Sequence, residues 1–330
     1  MPPKRKIASS LKKSMNDDQS SIGHIGVLMG GYSSEREISL KSGKAIFAAL
    51  KECGCWVSDL DIRAKNHQAI KTLIRKSGIN VAFIALHGKL GEDGTIQSIL
   101  EDLKIPYTGS GPRASGQALN KIISQEIFQK HQIPIAPFWV AHQNQKRKIS
   151  SMIEELREFP VVVKPAMEGS SIGISFADNS RDLRKALKLA FQFGPDVLVE
   201  RLIEGREMTV GILNEEALPV IEIKPKRSFF DFTAKYQEGM TEYIVPAEIP
   251  QNLSDQLKRL ALRAHQALGC RDFSRVDMMV DEQQQPFVLE VNTIPGFTST
   301  SLLPKAAKIQ GFSFTQLCLK LIDLAHEKKK

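Results

Sequence analysis

Short apolar runs alternate with helical periods along the first hundred residues. Residues 25–29, 56–60 and 81–86 are apolar stretches of strand length, and residues 35–53 and 69–76 between them carry the spacing of helices. The order βαβαβ predicts a doubly wound parallel sheet covered by helices on both faces. Ligands in such sheets bind beyond the carboxyl ends of the strands.

Residues 106–116 are rich in Gly, Pro and Ser and mark a boundary. Beyond it the pattern predicts a helix over 119–130, strands over 138–141, 161–164, 172–176 and 197–200, and helices around Met152 and over 183–191. From Gly205 onward strands dominate, over 208–213, 218–224, 275–280 and 287–291, with helices over 256–268, 302–309 and 314–328. The expected organisation is a basic, disordered leader (1–21), an N-terminal α/β domain (22–110), a central subdomain (111–204) and a C-terminal domain (205–330). No internal repeat occurs, and no low-complexity tract lies outside the ends.

Composition changes this picture little. A chain of 330 residues with 42% hydrophobic and 25% charged residues is long enough for two or three soluble globular domains. The net charge of +8 suggests nucleic acid until it is located: residues 1–20 carry three of the positive charges and residues 328–330 another three, which leaves +2 for the body. Basicity therefore belongs to the ends rather than to a nucleic-acid-binding face. Cys53, Cys55, Cys270 and Cys318 lack metal-ligand spacing and fit reduced thiols in the cytoplasm. Neither a signal peptide nor a stretch able to insert in a membrane is present.

The richest chemistry lies in Arg275-Val276-Asp277 and Glu290-Val291-Asn292-Thr293-Ile294-Pro295-Gly296. A hairpin turn over 281–286 sets Asp277 opposite Glu290 and Arg275 opposite Asn292, all on one face, with Val276, Leu289 and Val291 on the other. Two carboxylates and an amide then converge within about 5 Å beside a guanidinium. Either a hard cation such as Mg²⁺, shared with substrate phosphates, sits among them, or the strands are simply salt-bridged.

Other stretches gather at strand ends. In Gly30-Gly31-Tyr32-Ser33-Ser34-Glu35-Arg36-Glu37, Ser34 and Glu37 fit a capping box that puts Glu35 first in the helix, there to receive an ammonium group or merely to start the helix. Gly26, Gly30 and Gly31 do not form a dinucleotide fingerprint. His87-Gly88-Lys89-Leu90-Gly91-Glu92-Asp93-Gly94 begins where the third strand ends, and His87 there is a donor for a carboxylate or phosphate, or a structural histidine. Lys164-Pro165-Ala166-Met167-Glu168-Gly169-Ser170-Ser171-Ile172-Gly173 is not a P-loop; it reads as a flap over a nucleotide or as an ordinary glycine hairpin. The strand and turn from Glu200 to Glu207 could offer a backbone edge to adenine and a carboxylate to ribose, and nothing in the local sequence requires it. Lys235 and Tyr236, within 227–241, sit on a mobile lid or an exposed loop.

The order of these stretches, together with Pro106-Tyr107-Thr108-Gly109-Ser110-Gly111 and Ala234-Lys235-Tyr236, resembles the D-alanine-D-alanine ligases of the ATP-grasp superfamily over residues 23–325. The resemblance implies a two-subdomain ATP-grasp fold after the N-terminal sheet. It implies that ATP phosphorylates one D-alanine, the amine of a second attacks the acyl phosphate, and the dipeptide serves peptidoglycan precursor synthesis. Glu35 would then bind the first ammonium, with His87 near its carboxylate and Ser170 and Tyr236 completing a hydrogen-bonded triad. Lys121, Lys164 and Lys235 would hold phosphates, Glu168, Ser170 and Ser171 would cover them, and Glu200, Arg201, Ile203 and Glu207 would take adenine and ribose. Asp277, Glu290 and Asn292 would hold two Mg²⁺ ions, or Mn²⁺, while Arg275 and the Gly296 amide stabilise the oxyanion and Ser301 meets the second carboxylate. A homodimer is implied too. The resemblance implies that Tyr236 goes with the dipeptide rather than with D-lactate-joining relatives; the departures are the basic leader and Ser274, where glycine commonly precedes the arginine. Other carboxylate-amine ligases, such as those joining D-serine or D-lactate, are the alternative.

Overall fold

The computed structural model describes residues 23–225 and 240–327. The leader, the terminal lysines, and Lys235 and Tyr236 lie outside the described residues.

Strands β1 (Ile25–Gly30), β2 (Val57–Ile62) and β3 (Val81–Ile84) form a parallel sheet in the order β2-β1-β3, as the alternation predicts. Alternate residues of β1 face opposite cores. Ile25, Val27 and Met29 pack with helix α1 (Arg36–Glu52), whereas Leu28 packs with helices α2 (His67–Ser77) and α3 (Thr95–Asp102). Gly43 lets α1 lie close, since a Cβ there would stand 2.5 Å from the Cβ of Met29. Helix α3 is not foreseen by the sequence pattern. The helix expected over 119–130 is α5 (Lys121–Lys130), and a separate helix that the sequence pattern does not foresee, α4 (Pro112–Leu119), precedes it; the two are divided at Asn120, which takes an extended conformation and whose side chain caps the amides of Ile122 and Ile123.

The central sheet is antiparallel, in the order β4 (Phe138–His142), β7 (Asp196–Arg201), β5 (Val161–Pro165) and β6 (Ser175–Ala177). Helices α6 (Lys146–Glu155) and α7 (Ser180–Ala190) cover one face through Ile153, Leu183 and Leu187. The strand expected over 172–176 begins only at Ser175, because the backbone turns left-handed at Ser170, Ser171 and Gly173.

The third sheet runs β11 (Thr241–Ile244), β10 (Ile221–Pro225), β8 (Arg206–Leu213), β12 (Phe273–Val280) and β13 (Pro286–Asn292), with β9 (Glu216–Ala217) paired to β8. Helix α8 (Gln251–Ala267) packs Leu253, Leu257 and Ala261 against Met208, Val210, Val276 and Met278 on one face. Helix α9 (Leu302–Ile309) approaches the other face at Gly211, where a Cβ would stand 2.5 Å from Leu303 Cδ1. Helix α10 (Phe314–Glu327) returns to the first sheet, adding Leu317, Leu321 and Ile322 to the core of β1 and α1.

Asp277 pairs with Glu290 and Arg275 with Asn292, the register expected of the hairpin. Between Asp277 and Met278 the register slips by one residue. This bulge corrects one expectation: Val288, not Leu289, joins Val276 and Val291 in the core, since an extra residue on β13 reverses the facing of what precedes it.

Candidate functional site

The residue row across the third sheet is the floor of the site. Thr209, Asp277 and Glu290 stand side by side on β8, β12 and β13, and Gly211, Arg275 and Asn292 form the next row. Their valine neighbours face α8, so this polar set is forced onto the opposite face. Asp277 is 5% exposed. Its Oδ1 accepts from Thr209 Oγ1 at 2.6 Å and Arg275 Nε at 2.8 Å, and its Oδ2 accepts from Arg275 Nη2 at 2.6 Å and Asn292 Nδ2 at 3.0 Å. The two readings of the hairpin thus coincide, with an ion pair lying inside a cluster of hard oxygen donors.

A cavity of about 850 Å³ opens above this floor. Glu35, His87, Lys121, Ser170, Arg275, Glu290, Asn292, Gly296 and Ser301 all line it. Residues as far apart in the chain as Glu35 and Ser301 are thereby brought to one place.

Glu35 departs in one respect from its expected position. It is the N-cap of α1 rather than its first helical residue, and Ser34 is exposed and caps nothing. The cause is the Glu35 carboxylate, which turns into the cavity, where Ser170 Oγ donates to its Oε1. Gly88 and Gly169 make that turn possible, since a Cβ at either would come within 2.5 Å and 3.1 Å of Glu35 Oε2. The glycine-serine flap of the central sheet therefore closes on the first helix.

His87 is buried, with Nδ1 3.0 Å from the Ile294 carbonyl and Nε2 3.2 Å from Ser42 Oγ. Burial lowers its pKa to about 4, and the nearby Arg275 guanidinium acts in the same direction. It is a neutral imidazole that ties the end of β3 to the loop after β13.

Lys164 and Glu200 face each other diagonally across β5 and β7 as an ion pair. Burial alone would lower the Lys164 pKa, but Glu200, Glu290 and Glu207 outweigh it and raise it. Lys121 donates to the Glu168 carbonyl at 2.5 Å and lies 3.9 Å from Glu290 Oε2. Arg201 pairs with Glu158 at 3.5 Å, and Ile203 is buried at the end of the same strand. Ser171 stands in the flap with φ of 60°. Ser301 caps α9 in the chain sense, its Oγ accepting from the Thr298 amide at 3.0 Å.

Three contributors escape the sequence reading. Glu92 lines the cavity and accepts from the Gly88 amide at 2.7 Å. Burial, then the charges of Glu35 and Glu290, push its pKa up to about 8. The signal was its place five residues after His87 in a glycine-punctuated loop. Tyr243, on edge strand β11, lines the cavity and carries Lys305 4.3 Å from its ring centroid. Thr209 has no local sequence signal, because only the pairing of β8 with β12 brings it to Asp277.

Two carboxylates and an amide on one rigid strand pair suit a hard divalent cation that takes its remaining ligands from phosphates. Among the described residues no group of three or more His, Cys, Asp and Glu is placed to hold a metal. No helix among the described residues is long and apolar enough to cross a membrane.

The sequence matches the family model for the D-ala D-ala ligase N-terminus over residues 58–110 and that for the D-ala D-ala ligase C-terminus over residues 127–323. The chain is 44% identical over 311 residues to a D-alanine--D-alanine ligase of Geotalea uraniireducens, covering 94% of this chain and 98% of that protein. It is 46% identical over 311 residues to one from Pelotomaculum thermopropionicum, covering 92% and 96%. Among solved structures, D-alanine--D-alanine ligase from Bacillus anthracis complexed with ATP superposes with a TM-score of 0.79 at 31% identity, covering 93% of this chain and 98% of that one. VanG D-Ala:D-Ser ligase from Enterococcus faecalis gives a TM-score of 0.80 at 29% identity, covering 92% and 99%.

Proposed function

The chain belongs to the D-alanine-D-alanine ligase family, whose ATP-dependent ligation of D-alanine to D-alanine it performs, and from that premise we propose how its residues divide the work. Glu35 holds the ammonium of the first D-alanine, and its hydrogen bond from Ser170 keeps the flap closed over the site. Lys121, Lys164 and Lys235 hold the phosphates of ATP, with Glu168, Ser170 and Ser171 above them. Adenine and ribose lie along Glu200, Arg201, Ile203 and Glu207. Asp277, Glu290 and Asn292 would hold Mg²⁺, or Mn²⁺, which supplies charge neutralisation as phosphate is transferred.

The first carboxylate takes the γ-phosphoryl group of ATP as the bond to ADP breaks, the second amine attacks the carbon of the acyl phosphate, and the tetrahedral intermediate expels phosphate to leave the peptide bond. Arg275 and the Gly296 amide receive the oxyanion; losing one such donor lowers rates by about 10² to 10³. His87 orients the loop carrying Gly296 rather than moving a proton, because both its ring nitrogens are engaged. Ser301, at the start of α9, receives the second carboxylate. The flap of Gly169 and Ser170 excludes water, which acyl phosphates require.

The observation that supports this reading best is the convergence of Glu35, Ser170, Arg275, Glu290 and Asn292 on one cavity. The grouping of the strands into three sheets supports domain limits at 22–110, 111–204 and 205–330. We place the reaction in the cytoplasm, for peptidoglycan precursors, with a homodimer that sedimentation would test. Mass spectrometry of products from ATP with D-alanine, alone and against D-serine or D-lactate, tests the substrate choice; a mixed product in preference to the dipeptide would reassign it. Glu290→Gln should remove most turnover while the fold persists, and near-wild-type turnover would show the cation is held elsewhere.

A further inference from the structure

Asp277 is held by two kinds of partner. Arg275 and Asn292 line the cavity and reach the carboxylate from the substrate side. Thr209 reaches it from the adjacent strand, is 1% exposed, and takes no part in lining the cavity. Its hydroxyl has the Asp277 Oδ1 at 2.6 Å and the Val276 carbonyl at 3.2 Å, so the carboxylate is the nearer acceptor for its single proton.

The difference between these partners matters for chemistry. The proposed mechanism gives Arg275 an oxyanion and Asn292 a cation, so both have ligands to meet other than Asp277. Thr209 has none. It is β-branched, which restricts χ1, and it sits in the middle of an eight-residue strand paired on both sides. A carboxylate offers about four lone-pair sites, and a donor fixed on one of them sets the direction of the rest.

Resting on the reading of Asp277 as a cation ligand, we infer that Thr209 is a positioning residue, which fixes the Asp277 carboxylate toward the divalent cation. Ligand-orienting hydrogen bonds of this kind change metal affinity by about 10- to 100-fold when lost. Valine matches threonine in shape and lacks the hydroxyl, whereas serine keeps the hydroxyl and lacks the methyl.

Free Mn²⁺ counted by electron paramagnetic resonance, with the full chain and ADP, measures this without turnover. Thr209→Val should weaken Mn²⁺ binding by about 10- to 100-fold. Thr209→Ser should bind close to wild type, and the KM for D-alanine at saturating Mn²⁺ should be unchanged in both. Should Thr209→Val not fold, Thr209→Ala lacks the same hydroxyl and decides the same point. Wild-type Mn²⁺ affinity in Thr209→Val, beside lost binding in Asp277→Asn, would overturn the role of Thr209 and leave the cation site standing. Thr209→Ser binding as poorly as Thr209→Val would also overturn it, since a hydroxyl kept at this position would then confer no affinity. Unchanged binding in Asp277→Asn would instead remove the cation reading on which the inference rests.

Discussion

Lys164 and Glu200 show what a single buried charge depends on. Their side chains are only 13% and 4% exposed, and each is the other's compensation. Removing one partner of such a pair costs about 3–5 kcal/mol because the survivor stays desolvated, whereas replacing both with apolar groups is close to neutral. Glu200→Gln should therefore lower the denaturant midpoint strongly, and Lys164→Met combined with Glu200→Met should recover most of the loss. A double variant less stable than Glu200→Gln would show that the pair holds the central sheet by more than mutual charge. Nucleotide binding need not follow stability. The double variant should bind ATP poorly by calorimetry, for it lacks the phosphate-binding ammonium even where the fold is restored.

Elements carry the next constraint, through how closely they approach. Helix α1 brings Glu35 to the cavity only because Gly43 lets it lie on β1. A methyl at Gly43 would meet the Cβ of Met29, an atom fixed by the backbone rather than a flexible tip. Overpacking of this kind costs about 1–3 kcal/mol. Gly43→Ala should lower the unfolding midpoint and raise the KM for the first D-alanine as α1 is pushed outward, and an unchanged KM would show that the Ser170 contact alone positions Glu35. The strand hairpin and its polar face were legible because alternation is a local rule: Asp277 faces Glu290 as the spacing requires. What alternation could not reveal was the bulge that put Val288 in place of Leu289, since pairing geometry decides it. Helix starts were less legible than helices. Ser34 and Glu37 match a capping box, yet Glu35 takes the N-cap position of α1 without a side-chain cap, its carboxylate turned into the cavity to meet Ser170, 135 residues away.

At the scale of the molecule, His87 joins the first sheet to the loop after the last strand. The Nδ1 bond to the Ile294 carbonyl spans 207 residues, a link that no sequence spacing foretells. Burial of the neutral ring has a consequence for stability. Its pKa is about 4 in the folded protein against 6.5 for an ordinary histidine, so the unfolded chain binds the proton more readily between those values. Stability from this group is fully present above pH 6.5 and is lost as pH falls through 4, by roughly 3 kcal/mol. Glu92 acts with the opposite sign, because its carboxyl is raised to about 8 and its contribution is lost as pH rises. The wild-type curve therefore mixes the two, and only a difference isolates His87. His87→Asn retains a donor for the Ile294 carbonyl and lacks a titrating ring. The gap between wild-type and His87→Asn unfolding midpoints should narrow, or change sign, as pH falls from 6.5 to 4. Two parallel curves would mean that the acid sensitivity of the junction lies in other groups.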